Sequence, residues 1–301
     1  MLPIIPEHPV TGTASASAPR SFGARLADAV GRTGPLCAGI DPSAALLDAW
    51  GLSDDASGLR QFGARCVEAF AGVVPVVKPQ VAFFERWGAA GMAALEAVIA
   101  LARDAGLLVL ADAKRGDIGS TMDAYAAAWL DPAGPLCVDA VTVVPYLGLG
   151  ALEPAVSVAT AHGGGVIVVV RTSNPEGRLL QEARVGGGAG TSVEDSLLEG
   201  IAELNRRPGV APGTVGAVVG ATLGPSGFPL AGLGGPILAP GVGAQGATAS
   251  DVSRLFLGCA AGTVVPNVSR SVLREGPEVD ALRAAARAAR DEMATALRTD
   301  P

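Results

Sequence analysis

The chain has 301 residues, 49% of them hydrophobic and 17% charged, with a formal net charge of −7, which excludes a disordered chain and opposes a nucleic-acid partner held by a basic face. Two histidines (His8, His162) and four scattered cysteines (Cys37, Cys66, Cys137, Cys259) leave little for a zinc site or a disulfide framework, and suggest reduced thiols in a cytoplasmic protein.

Residues 1–19 carry no basic n-region and no long apolar run, and they read as a flexible tail. A helix is expected at 21–32. Apolar runs that read as strands follow at 36–40, 73–78, 107–112, 140–144, 165–170, 215–219, 237–239 and 263–265. Segments with helical spacing lie between and after them, at 58–72, 88–105, 121–130, 152–161, 192–206, 250–257 and 277–298. The strand runs are continuously apolar rather than alternating, as a parallel sheet buried on both faces requires. Eight such strands alternating with helices over about 250 residues predict one α/β domain, a (β/α)8 TIM barrel spanning 20–301. A doubly wound sheet is the competing architecture. The connection at about 172–213, with a glycine-rich stretch at 186–190, is long enough to suggest a functional loop. The uncharged stretch 208–250 holds six prolines and cannot form one membrane-spanning helix.

Of the 22 basic residues, only Lys78 and Lys114 are lysines. Where arginine serves for generic positive charge, a retained lysine points to a need for a compact ammonium that can surrender its proton. Both lysines fall at the C-terminal ends of predicted strands, where barrels of this kind place their chemistry. The other strand ends carry Asp41, Asp112 with Asp117, Thr172-Ser173-Asn174, a glycine-rich turn at 241–246 and Arg270. Asp112 and Lys114 are two apart and face the same way if the strand continues regularly, with Asp117 following the turn at Gly116. A lysine between two carboxylates has its charged form favoured, making it a proton donor rather than a Schiff-base nucleophile. The turn at 241–246 together with Arg270 suits a phosphate group. From the residues alone the chain reads as a barrel enzyme acting on a phosphorylated small molecule, with no evident need for a metal or a cofactor. Ser173 and Asn174 serve equally well as ring contacts or as helix caps.

The run from Val109 to Met122, with Asp112-Ala113-Lys114-Arg115-Gly116-Asp117 at its centre and Thr121 four residues on, resembles the signature of the orotidine 5′-phosphate decarboxylase family. The resemblance extends from Gly39-Ile40-Asp41-Pro42 to Asn267-Val268-Ser269-Arg270, and the segments at 78–85 and after the fifth strand are similar to the longer, mainly bacterial branch. It implies conversion of orotidine 5′-phosphate to uridine 5′-phosphate and CO2 in de novo pyrimidine biosynthesis, without a cofactor. By position it further implies that Lys114 protonates C6 with Asp112 beside it, that Asp41 contacts the ribose or pyrimidine side and Lys78 a ribose hydroxyl, and that Ser173 bonds the pyrimidine. Gln245 and Arg270 would hold the phosphate, while Asp117 and Thr121 would reach into the partner's site of a homodimer. One departure is Ala247, where the family often has glycine, and it bears on the loop path over the phosphate. Two other readings stand beside this one. The first is a Mg2+-dependent sugar-phosphate decarboxylase or synthase of the same superfamily, expected to need a further carboxylate where this chain has Lys78. The second is a non-catalytic barrel that binds a phosphate ligand.

Overall fold

Eight short apolar runs, each parallel to its neighbours, close on themselves in the computed structural model, which describes residues 19–186, 190–243 and 246–298. They are β1 (Cys37–Ile40), β2 (Val76–Pro79), β3 (Leu108–Arg115), β4 (Ala140–Val143), β5 (Gly165–Arg171), β6 (Val215–Val219), β7 (Ile237–Pro240) and β8 (Val264–Val268). Pairing of Cys37 with Asn267 and of Ala38 with Val268 joins β1 to β8, which makes a barrel and not a doubly wound sheet. The helices up to β5 are α1 (Phe22–Thr33), α2 (Ala44–Ala49), α3 (Ala56–Phe70), α4 (Ala82–Glu85), α5 (Gly88–Asp104), α6 (Gly119–Leu130) and α7 (Glu153–His162). Those after it are α8 (Arg178–Gln181), α9 (Val193–Arg206), α10 (Ala249–Leu255), α11 (Arg270–Leu273) and α12 (Val279–Ala296).

β-branched runs such as Val166 to Val170 fit a pleated surface covered on both faces, and the strands are almost wholly buried. Inside the barrel, Cys37, Val76, Leu110, Ala140, Ile167, Val218, Leu238 and Val265 pack together with Phe22 and Leu26 of α1. That helix stoppers the N-terminal end. Ser21 Oγ donates to the Pro212 carbonyl at 2.7 Å, Gly23 N to Gly213 O at 3.0 Å and Arg25 to Gly163 O at 2.9 Å, all in loops that enter strands. Gly165 is required here, because a Cβ at that position would lie 2.6 Å from the Phe22 ring. Burying a ring of that size contributes about 1.5–3 kcal/mol. With this end closed, the barrel interior opens at its C-terminal rim.

Several boundaries differ from those expected. The second strand starts at Val76 rather than at residue 73, because the amides of Val73 and Val74 donate to Phe70 O and finish the last turn of α3. β3 continues three residues past Asp112, and β8 runs through Pro266 to Val268. The short helices α2, α4, α8 and α11 follow β1, β2, β5 and β8; at four to six residues they are too brief to show a period. The 172–213 connection carries α8 and α9, while the expected tail lies, apart from Pro19, outside the described residues. Among the described residues, no helix is long and apolar enough to cross a membrane.

Candidate active site

A cavity of about 300 Å3 opens at the C-terminal ends of the strands. Asp41, Lys78, Asp112, Lys114, Ser173 and Arg270, drawn from five strand ends, all line it. Val169, Val218 and Leu238 form an apolar wall on the β5–β7 side.

The polar side is organised around one carboxylate. Asp112 Oδ2 accepts from Lys78 Nζ at 3.1 Å and from Gln80 Nε2 at 2.9 Å. Its other oxygen, Oδ1, accepts from Lys114 Nζ at 2.6 Å and from Thr142 Oγ1 at 3.0 Å. Four donors from three strands and the residue after β2 thus saturate the group, a geometry that holds a carboxylate ionised and immobile. Burial alone would raise the Asp112 pKa, but the ammonium groups of Lys78 and Lys114 hold it well below the usual carboxylate range. Burial likewise works to lower the pKa of Lys78, and here the carboxylates of Asp112 and Asp41 outweigh it, so the amine is held further toward its charged form. Beneath them, burial pushes the Cys37 thiol up to about 12, which leaves it uncharged.

The two lysines differ in what they can do. The Lys78 side chain is 5% exposed and held in the cavity floor, whereas that of Lys114 is 49% exposed and stands free to move toward a ligand. Lys114 has φ +48°, the only positive φ at a non-glycine position among the described residues. In the left-handed region an L-residue costs about 1–2 kcal/mol, and the β3–β4 register shifts between Ala111 and Arg115. The regular strand assumed from spacing therefore breaks at Lys114, and this irregularity accompanies the return of its amine onto Asp112. Arg115, next in line, faces away. It bonds Glu85 and lies over the rings of Tyr125 and Trp129 at 5.8 and 5.7 Å, fastening the end of β3 to α4 and α6.

The Asp-Lys-Asp array expected from the sequence is, within one chain, a Lys-Asp-Lys array. After Gly116, Asp117 turns outward, and its Oδ1 accepts from the Ile118 amide at 2.8 Å. Neither Asp117 nor Thr121 lines the cavity of its own chain. Asp117 lies just before α6 and Thr121 in its first turn, flanking the exposed side chain of Ile118 in the chain.

Asp41 follows β1, and its Oδ1 is buried without a partner, as is Asn267 Oδ1 on β8. Across the cavity, Gln181 pins the loop after β5 by accepting from Thr172 N at 3.0 Å and donating to Thr172 Oγ1 at 2.8 Å. Gly241, Val242 and Arg270 line the side formed by β7 and β8, and Gln245 lies outside the described residues. Ala247 takes glycine's place without strain. Its amide and carbonyl bond Gly241 O and Gly243 N, and the positive φ values fall on Gly241, Gly243 and Gly246. Gln80, Thr142 and Asn267 were not singled out from sequence, although Thr142 is the one polar residue of β4 and Gln80 shares the alternation of Lys78. Among the described residues, no group of three His, Cys, Asp or Glu side chains is placed to hold a metal ion.

Comparison with known proteins follows the same lines. The profile of the orotidine 5′-phosphate decarboxylase/HUMPS family matches residues 34–285. An orotidine 5′-phosphate decarboxylase of Salinispora tropica is 55% identical over 267 residues, covering 88% of this chain and 94% of that protein. The protein of the same name from Streptomyces coelicolor is 54% identical over 279 residues, covering 92% and 97%. A crystal structure of a protein described as an orotidine 5′-phosphate decarboxylase from Streptomyces avermitilis superposes with a TM-score of 0.87 at 50% identity, covering 95% of this chain and 99% of that one.

Proposed function

The chain belongs to the orotidine 5′-phosphate decarboxylase/HUMPS family, and from that premise we propose how its residues carry the reaction. It is a carboxy-lyase of pyrimidine biosynthesis that converts orotidine 5′-phosphate to uridine 5′-phosphate and CO2. Cleavage of the bond between C6 and the carboxylate leaves its electron pair on C6, where no ring position delocalises it. Positive charge must already stand at that point. Lys114 supplies it and then transfers a proton from Nζ to C6, with solvent restoring the ammonium. Asp112 aims that amine. The observation that carries this reading is the Lys114 Nζ–Asp112 Oδ1 contact of 2.6 Å at the cavity's edge.

The remaining assignments follow position in the cavity. Asp41 serves the ribose or pyrimidine side, Lys78 a ribose hydroxyl and Ser173 the pyrimidine ring. Arg270 and Gln245 hold the phosphate, whose binding energy, remote from C6, helps fix the reacting geometry. Asp117 and Thr121 complete the site of a second copy in a homodimer, a reading supported by their place outside the cavity of their own chain. Four free thiols support work in the reducing cytoplasm.

Lys78 argues against the Mg2+-dependent sugar-phosphate chemistry found elsewhere in the superfamily. Its ammonium, 3.1 Å from Asp112 Oδ2, places a fixed positive charge where a divalent ion would need carboxylate ligands. The decisive assay follows the ultraviolet absorbance of orotidine 5′-phosphate with purified protein, with and without EDTA. Chromophore loss that ignores EDTA supports decarboxylation without a metal. Loss only on restoring Mg2+, or none at all, overturns the reading.

A further inference from the structure

Thr142 stands on β4 with 1% of its surface exposed, and it does not line the cavity. Its hydroxyl is nevertheless bonded twice to the reacting array. Oγ1 accepts from the Lys114 backbone amide at 3.0 Å and donates to Asp112 Oδ1 at 3.0 Å. The first bond holds the amide of the residue at φ +48°. The second is made to the oxygen that also receives Lys114 Nζ. One hydroxyl therefore closes a ring through the main chain of Lys114, its side chain, the Asp112 carboxylate and back.

From this we infer that Thr142 is a positioning residue for decarboxylation, fixing the direction of the Lys114 ammonium by tying its backbone and its carboxylate partner to the same atom. The inference rests on Lys114 being the proton donor. Rotation of the hydroxyl cannot satisfy both bonds in any other sense. The amide can only donate, so Oγ1 must accept there, and its single proton is left for Asp112. Without the hydroxyl, Asp112 Oδ1 keeps only the flexible ammonium, and the Lys114 amide loses its partner. The loop then has no fixed reference, and Nζ spends less time aimed at C6. Valine has nearly the same shape but can neither donate nor accept, whereas serine retains both capacities.

The test compares Thr142→Val, Thr142→Ser and wild type for kcat, KM for orotidine 5′-phosphate, the dissociation constant of uridine 5′-phosphate and the melting temperature. Expected is a fall in kcat of about tenfold to a hundredfold for Thr142→Val, the range for losing one hydrogen bond to a charged group. KM and product affinity should change by less than about threefold, and Thr142→Ser should recover most of kcat. A Thr142→Val enzyme with wild-type kcat overturns the inference. So does a loss shared by kcat, KM and product affinity, which is what general disruption of the barrel produces, and so does a serine variant as slow as the valine one. If Thr142→Val does not fold, Thr142→Ser and Thr142→Ala decide by the same split between kcat and KM. Wild-type protein that fails to decarboxylate orotidine 5′-phosphate overturns the assigned reaction itself, an outcome separate from all of these.

Discussion

Lys78 and Lys114, the chain's two lysines, approach opposite oxygens of one carboxylate, at 3.1 and 2.6 Å from Asp112. One ammonium is buried in the cavity floor and the other stands half exposed at the cavity. Lys78 thereby meets Asp112 from the cavity floor, while Lys114 meets it from the side open to a ligand. In the proposed reaction, negative charge developing at C6 meets an amine already held in place, without solvent reorganisation.

Replacing Lys114 by alanine removes the donor and leaves the phosphate and ribose contacts. Turnover should fall by at least about a thousandfold, while uridine 5′-phosphate still binds in a calorimetric titration. Substantial residual decarboxylation would count against Lys114 as the proton donor.

Asp112→Asn takes from the buried Lys78 ammonium the carboxylate it is bonded to, a loss of about 3–5 kcal/mol. The pH dependence follows from the direction of each shift. Asp112 is depressed in the folded state, so its contribution is fully present above its unfolded pKa of about 4 and is lost as pH falls toward the folded value. Lys78 is raised, so its contribution is present below its unfolded pKa of about 10.4 and is lost only as pH rises through the folded value. The melting-temperature gap between wild type and Asp112→Asn should therefore be wide at pH 7 and narrow as the buffer is taken from about pH 4 to 2. A gap that persists unchanged into acid would refute this account.

If Asp117 serves the neighbouring subunit, two dead variants should rescue each other. Mixing Lys114→Ala with Asp117→Ala under subunit exchange forms hybrid dimers in which one site holds an intact Lys114 and an intact Asp117. Random pairing yields about a quarter of wild-type specific activity. Recovery absent despite proven exchange would place Asp117 in its own chain's site.

Arg270→Ala should raise KM for orotidine 5′-phosphate by about tenfold to a hundredfold, the range for a lost charged hydrogen bond. The phosphate-free nucleoside orotidine separates the roles. Its slow decarboxylation should be little changed by the substitution, and an equal loss on both substrates would remove Arg270 from the phosphate site.

Much of this architecture is already legible in the amino-acid order. Runs such as Val215 to Val219 and Val166 to Val170 are continuously β-branched or small, and eight of them alternating with helices leave few topologies available. The scarcity of lysine marked Lys78 and Lys114 before any contact was known. What tertiary structure alone decided is how the strand ends meet. Asp112 collects Lys78, Gln80 and Thr142 across separations of 34, 32 and 30 residues, and the stagger of neighbouring strands sets those meetings. A local period reports which face of a strand is buried, but it carries no information on which residue of the next strand lies opposite. For the same reason the break at Lys114 and the outward turn of Asp117 were invisible in the motif. Both are backbone choices, settled when Arg115 is anchored to Glu85 and Gly116 is pressed against Val144.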